Sequence, residues 1–379
     1  MKKKLCFIAN VDWGFISFRL PIAQEAQKQG YEIHLITELT NKDNSVRTLK
    51  ENNIYIHNME FKRSNSNPVH LFFLLVKIIK KLKLIKPDIV HLITIKAVLI
   101  GGLAARIANI NKVVIAITGL GYTFIQEGMI AQFRRFLLTL LYKASLNTKK
   151  VHLIFQNHDD RKEILEIVNN RDIKYSLIPG SGVNLSSFPY TEETIYDKPK
   201  VLMIGRLLKD KGILEFVEAA NILKNREIKS EFIAIGEIDE GNPASLDGKS
   251  LKKISSLNLV NFKGYVKDVA KEIKESNIVV LPSYREGFPK ALIEASSIGR
   301  ALIACDVPGS REAVIHKENG LIVKPREAED LAKAIEHLLN DDDRRKRMGL
   351  KSRAIAERKY DINKVVQTHI EIYKNKHDF

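Results

Sequence analysis

Residues 278–299 read IVVLPSYREGFPKALIEASSIG. The opening four, Ile278 to Leu281, are apolar at every position, as a strand buried on both faces of a parallel sheet must be. Pro282, Ser283 and Gly287 open a turn, and Pro289 suits the first turn of a helix, where its missing N–H costs nothing. Lys290 to Ile298 then reads as that helix. The same strand-turn-helix unit recurs in both directions along the chain. Upstream, strands are expected at Leu5 to Ala9, Glu32 to Thr37, Asp88 to Ile93, Lys112 to Thr118 and His152 to Phe155, with helices at Arg19 to Gln29, Ala97 to Ala108 and Gln132 to Leu146. After a loop-like segment, Pro179 to Lys200, the pattern restarts. Strands follow at Val201 to Ile204, Phe232 to Ile235, Val260 to Lys263 and Ala301 to Ala304, and helices at Ile213 to Lys224 and Ala328 to Leu339. Such alternation predicts an α/β fold of two doubly wound, Rossmann-like domains, with ligands at the carboxyl ends of strands and a cleft between the domains as the default site.

The chain has 379 residues, enough for two domains that each bury a core. Its composition, 45% apolar, excludes disordered and fibrous classes. Cys6 and Cys305 lie far apart and cannot form a disulfide framework, and too few Cys and clustered His remain for a structural zinc site, so a reducing cytoplasm is the natural setting. The apolar run Leu71 to Val76 is interrupted by Lys77, well short of the ~20 residues of a membrane span. After MKKK the apolar stretch ends at Asn10 and Asp12, shorter than the core of a signal peptide.

The formal charge is +16, and it is uneven. Residues 1–185 hold 27 Lys/Arg against 14 Asp/Glu, whereas the remainder holds 34 against 31. The first half therefore faces something anionic. Two segments there, VHLFFLLVKIIKKLKLI at 69–85 and QFRRFLLTLLYKASL at 132–146, mix aliphatic residues with cations and almost no acids. That composition fits a helix on a lipid interface with cations at acidic headgroups, and it fits equally a core helix whose Lys side chains snorkel to water. Taken with the charge bias, the pair favours an anionic membrane surface. Nucleic acid is the weaker reading, because stacking aromatics are not interleaved with the cations.

Chemistry concentrates in two stretches. In the first, Glu286 stands at a strand-to-helix turn, Glu294 lies on the helix that follows, and the amides of Gly287 and Phe288 fall between them. This set suits a ligand with many hydroxyls and an anionic tail. In the second, the strand Val201 to Ile204 leads into Gly205, Arg206 and then Lys211 and Gly212 at a helix start. Arg with its planar fork and Lys as a point charge make a phosphate clamp.

GRLLKDKG at 205–212 and EGFPKALIE at 286–294, with HLITIK at 91–96, TGLGYTF at 118–124, IPGSGVNLSSF at 178–188, GEIDEGNPAS at 236–245 and VPGSREAV with NGLIV between 307 and 323, resemble the retaining nucleotide-sugar glycosyltransferases of family 4, which have the GT-B fold. TGLG with DEGNPAS is similar to the bacterial branch that builds surface glycans on polyprenyl diphosphate carriers. The resemblance covers most of the chain. It implies an acceptor-side domain at 1–182, a donor domain at 183–360 and a C-terminal segment, 361–379, that packs back on the first. It gives Arg206 and Lys211 the donor diphosphate, Glu294 the ribose hydroxyls, and Glu286 the transferred sugar, with Gly287 and Phe288 on sugar hydroxyls. Gly14, expected in the first strand-to-helix loop, would let backbone approach the diphosphate, Gly205 would also bind the donor, and backbone near Tyr265 and Val266 would meet the base. The reaction implied is transfer of a hexose or N-acetylhexosamine from a UDP-sugar, without cofactor or metal, to a polyprenyl-diphosphate-linked sugar at the inner face of the cytoplasmic membrane. Cations preorganised at the leaving diphosphate would stabilise the charge that develops there, and cleft closure would exclude water.

One departure stands out. Many relatives carry a His in the loop where this chain has Thr118 and Gly119, so that sugar contact is unassigned; His91 is a substitute candidate, and Arg19, read as the start of the first helix, is a candidate for an acceptor phosphate. Two other activities fit less well. DGKS at 247–250 imitates a P-loop, but Pro243 holds the place of its first Gly and has no N–H for phosphate. Gly119 and Gly121 imitate a dinucleotide fingerprint, but Phe124 replaces the third Gly. A nucleotide-sugar epimerase of the same fold, or a catalytically silent scaffold at the membrane, remain the rival readings.

Overall fold

The computed structural model describes residues 2–40, 42–61, 67–120, 128–170, 172–239, 242 and 244–374. Residues 121–124 of TGLGYTF, residues 240, 241 and 243 of the GEIDEGNPAS stretch, and residues 375–379 of the expected C-terminal segment lie outside them. The chain divides into two compact units, 1–181 with 364–379, and 182–363.

Among the described residues the first unit carries a parallel sheet in the order β3-β2-β1-β4-β5-β6-β7. Its strands are β1 (Lys4–Val11), β2 (Glu32–Glu38), β3 (Tyr55–Asn58), β4 (Ile89–Ile93), β5 (Lys112–Ile117), β6 (Val151–Phe155) and β7 (Lys174–Leu177). The helices are α1 (Asp12–Lys28), α2 (Lys42–Glu51), α3 (Pro68–Ile85), α4 (Gly102–Ile107), α5 (Met129–Leu146) and α6 (His158–Val168). The expected helix Ala97 to Ala108 is split, its first turn Ala97–Gly101 being π-helical. The core on one face joins Ile8, Val90, Leu92, Ile115 and Phe155 of the sheet to Leu74, Ile78 and Leu82 of α3 and Tyr142 and Leu146 of α5. Helix α3 starts where Asn67 accepts a hydrogen bond from the Val69 amide at 2.9 Å, with Pro68 in its first turn, and stops at left-handed Lys86.

Two expectations at the start of the chain are corrected. Helix α1 begins at Asp12, seven residues before Arg19, so β1 runs directly into it and Gly14 lies in the first turn of the helix rather than in a loop. Buried Asp12 sets this start: its carboxylate accepts from the Trp13 amide at 2.8 Å and from the Thr40 hydroxyl at 2.6 Å. Pro21 lies inside the helix, in its third turn. An added Cβ at Gly14 would meet only Val11 Cγ2, at 3.4 Å, so the backbone there does not require glycine.

The second unit holds, among its described residues, a parallel sheet ordered β10-β9-β8-β11-β12-β13, made of β8 (Lys200–Ile204), β9 (Glu231–Ile235), β10 (Asn261–Gly264), β11 (Ile278–Leu281), β12 (Ala301–Cys305) and β13 (Gly320–Val323). Its helices are α7 (Ile213–Asn225), α8 (Gly248–Ser255), α9 (Val269–Lys274), α10 (Lys290–Ile298), α11 (Ser310–Ala313), α12 (Ala328–Leu339) and α13 (Asp342–Ile355). One core lies under α7 and α12 and a second under α10. The segment before β8 has little regular structure yet is pinned: Ser297 donates to the Phe188 carbonyl at 2.6 Å, Arg300 to that of Thr191 at 2.8 Å, and buried Arg345 pairs with buried Glu193 at 2.5 Å.

The last helix, α14 (Ile362–Tyr373), belongs to the first unit from Lys364 onward. Tyr373 and His91 of β4 share a 2.6 Å hydrogen bond, His369 stacks on His91 with ring centroids 5.7 Å apart, and Lys112 donates to the Ile372 carbonyl. No helix among the described residues is long and apolar enough to cross a membrane.

Candidate functional site

The site is built where strands β8, β9 and β11 end. Gly205 follows β8 and Gly236 follows β9, and their backbones are pressed together. Gly205 donates to the Ile235 carbonyl at 2.9 Å, Gly236 to that of Gly264 at 2.9 Å, and a Cβ on Gly236 would lie 1.8 Å from the Gly205 oxygen. With φ at +143° besides, only glycine fits at position 236. Next comes Arg206, and a single 3₁₀ turn, Lys209–Lys211, closes at left-handed Gly212. That glycine lets the turn lie on the β11 loop: a Cβ there would be 2.2 Å from the Pro282 oxygen, and the Tyr284 amide donates to Asp210 at 2.9 Å. Lys211 is thereby delivered to Glu286, and the two form an ion pair.

A third loop supports the second. The Glu286 amide donates to the Pro308 carbonyl at 3.2 Å, and Gly309, at φ +78°, sits so close that a Cβ would be 2.4 Å from the Gly287 oxygen. The Gly309 amide is in turn held by Glu312 at 2.9 Å. Phe288 packs edge-on against Tyr360 with centroids 5.5 Å apart, and Pro289 precedes the first residue of α10. Glu294, one turn into α10, is nearly buried and lies 3.5 Å from the Lys290 ammonium. Burial raises its pKa, and Lys290 opposes the rise.

Arg206, with its side chain 41% exposed, pairs with Asp239, which is 15% exposed. Between the two cations lies Asp210, whose pKa is raised by burial; Lys211 and Arg206 pull it down while Glu286 pushes it further up. The Tyr265 side chain stands largely exposed after β10, and Val266 packs against the core beneath α10. The second unit therefore gathers Gly205, Arg206, Lys211, Glu286, Gly287, Phe288 and Glu294 at the carboxyl ends of the two central strands of its sheet, β8 and β11.

The matches to known proteins fall along the whole chain. Residues 4–157 match the model of glycosyl transferase 4-like domains, and residues 191–354 that of glycosyl transferases group 1. The chain is 31% identical over 385 residues to N,N'-diacetylbacillosaminyl-diphospho-undecaprenol alpha-1,3-N-acetylgalactosaminyltransferase of Campylobacter jejuni, covering 98% of both chains. It belongs to this glycosyltransferase family. A second relative, at 27% identity over 70% of each chain, is the UDP-Gal:alpha-D-GlcNAc-diphosphoundecaprenol alpha-1,3-galactosyltransferase of Escherichia coli. Among solved structures, Anabaena HepE in complex with UDP and glucose superposes with a TM-score of 0.78, at 18% identity, over 98% of this chain and all of that one. The fold is GT-B.

In the first unit of the glycosyltransferase, two candidates are not where the sequence put them. His91 lies in the middle of β4 and is fully buried, with Tyr373, His369 and Phe7 around its ring. Burial, with His369 and Arg19 nearby, drives its pKa well below the ordinary value, so it is a neutral core imidazole and not a sugar contact. Arg19 is likewise a core residue at 2% exposure, donating to the Phe18 carbonyl at 2.9 Å. Its pKa falls to about 10 through burial, against the favourable influence of Tyr373. Helical spacing from Asp12 turns Arg19 inward, whereas a start at Arg19 left it at the surface. Thr118 and Gly119 follow β5 directly, Gly119 at φ +118°.

The sequence reading missed Asp239 and Asp210 as members of the site, and Gly236 and Gly309 as its supports. The signal was present in part, since GEIDEG and VPGSRE each place a glycine directly after, or one residue beyond, an apolar strand and its turn. Among the described residues no group of three or more His, Cys, Asp or Glu is placed to hold a metal ion.

Proposed function

We propose that this glycosyltransferase moves a hexosyl residue, a hexose or N-acetylhexosamine, from a UDP-sugar to a sugar carried on polyprenyl diphosphate, with retention of configuration. The observation that carries the reading is the convergence of Arg206, Lys211 and Glu286 on two glycine-supported loops at the ends of β8 and β11, with Glu294 on helix α10 that follows the second. The names of the two relatives, both acting on diphospho-undecaprenol-linked sugars, supply the acceptor class. In this reading the bond from the anomeric carbon to the donor diphosphate breaks, the bond to the acceptor hydroxyl forms, and UDP leaves. Arg206 and Lys211 meet the charge that grows on the diphosphate, where fixed cations act more strongly than in water. Glu286, Gly287 and Phe288 hold the sugar, Glu294 the ribose hydroxyls, and Gly205, Tyr265 and Val266 line the approach of diphosphate and base. Gly14, and Thr118 with Gly119, are the residues of the first unit assigned to substrate.

We further assign the first unit to the membrane surface. Along α3, the residues turned away from the core are Val69, Phe72, Phe73, Lys77, Lys80, Lys83 and Leu84, and α5 exposes Phe136, Leu137 and Leu140. Both helices pack on the segment 97–107, so the two stripes share one face of the sheet. Exposed aromatic and aliphatic side chains beside lysines fit the interface of an anionic bilayer. This supports a peripheral site on the inner face of the cytoplasmic membrane.

The test is a panel of UDP-sugars and GDP-mannose, with and without polyprenyl-diphosphate-linked sugars, read by thermal shift and turnover on wild type and Arg206→Ala. One UDP-sugar should stabilise wild type alone and be consumed only with lipid acceptor. Release of free epimerised sugar would make it an epimerase, and no shift with any nucleotide sugar would favour the silent scaffold. Vesicles containing phosphatidylglycerol should co-sediment wild type but not Phe72→Glu/Phe73→Glu.

A further inference from the structure

Resting on the donor-site reading above, we infer that Asp239 is a resident counter-anion for Arg206: the donor diphosphate displaces it, and it retakes the guanidinium as UDP leaves. Each cation assigned to the diphosphate already holds a carboxylate, Arg206 with Asp239 and Lys211 with Glu286. A dianionic ligand can therefore engage Arg206 fully only by ending the first pairing.

The position of Asp239 is fixed without that ion pair. Its loop is stitched to the Arg206 loop by main-chain hydrogen bonds: Leu207 donates to Glu237 at 2.9 Å, Lys209 to Ala244 at 2.8 Å and Leu246 to Leu207 at 3.0 Å, with an antiparallel bridge between Leu208 and Ser245. The Asp239 amide itself donates to the Ser245 hydroxyl at 3.0 Å. The main chain of Asp239 thus stays beside Arg206 whether or not the two are paired, and the carboxylate remains within reach. Arg206 is the partner free to turn, since its side chain is 41% exposed against 15% for Asp239. Asp239 is accordingly a positioning residue. It keeps an arginine in place when the site is empty and competes with UDP when the site is full, which speeds product release.

Removing the charge while keeping the shape, Asp239→Asn, should tighten UDP about fivefold, the size expected of a partly exposed ion pair, with most of the change in a slower dissociation rate. Asp239→Glu should restore rates near wild type. In an Arg206→Ala background the same Asn substitution should give no tightening. Calorimetry for Kd and stopped-flow displacement for the off-rate, both with UDP on the full chain, read these outcomes. A purely structural role would weaken UDP binding in Asp239→Asn, which overturns the inference, as does unchanged affinity. Tightening that persists without Arg206 also overturns it, because the effect would then be general charge relief. If UDP binds neither wild type nor Asp239→Asn, the donor-site reading itself falls, and the exchange with it.

Discussion

Acid should unfold the first unit through His369, and the size of the effect follows from its surroundings. The ring is fully buried in α14; its Nδ1 lies 2.7 Å from the Val365 carbonyl and so carries the proton, while Nε2 is buried without a partner. Burial, and Arg19 nearby, bring the pKa down from 6.5 to about 3. In the unfolded chain the same imidazole titrates near 6.5. Above that pH neither state is protonated and His369 leaves stability unchanged; below it the unfolded chain binds a proton that the fold refuses, so stability falls as the pH drops towards 3. At pH 5 the difference is about 1.5 pH units of proton binding, or about 2 kcal/mol. The single tryptophan of the chain, Trp13, lies in α1 of this unit, so urea unfolding followed by its fluorescence reports the right transition. Between pH 8 and pH 5 wild type should lose about 2 kcal/mol more than His369→Phe, which keeps the stack on His91 but cannot take up a proton. Buried His91 pushes both proteins in the same direction, and burial, the largest cause of its lowered pKa, is kept in His369→Phe. Parallel pH profiles for the two proteins would refute the reasoning.

Glu193→Ala should strip buried Arg345 of its closest carboxylate, leaving Asp342 at 2.8 Å, and cost about 3 kcal/mol, seen by calorimetry as a lower Tm of the second unit. Gly309→Ala should combine a left-handed backbone with a Cβ driven into the Gly287 carbonyl; a cost of about 2 kcal/mol or more is expected, along with a raised KM for donor as the Glu286 loop shifts. Glu294→Gln, which keeps the shape but removes the charge proposed to hold the ribose hydroxyls, should raise the donor KM several-fold and leave kcat nearly unchanged, and an equal fall in kcat would place Glu294 in the chemical step instead.

The central strands of both sheets were legible because they are buried on both faces and read as unbroken apolar runs. The edge strands β3 and β7 were not, since YIHN and KYSL keep polar residues on a half-exposed surface. Helix α1 begins seven residues before the expected Arg19, and burial of Phe15, Ile22 and Ala26 carries it through Pro21. Within the site, Arg206, Lys211, Glu286 and Glu294 were legible because each sits in a strand-to-helix motif of fixed spacing. Asp239 was not, because its partner is 33 residues away in sequence and only the meeting of Gly236 with Gly205 makes them neighbours.

Residue order alone carries the α/β alternation, the two-part chain, the two charged strand-to-helix motifs and the basic first half, because periodicity, glycine placement and charge are local properties. Tertiary structure alone decided which carboxylate answers which cation, and that His91 and Arg19 are core. Both are long-range facts: the pairs form where separate strand ends converge, and the last helix, α14, returns from the far end of the chain to bury His91 beneath Tyr373 and His369.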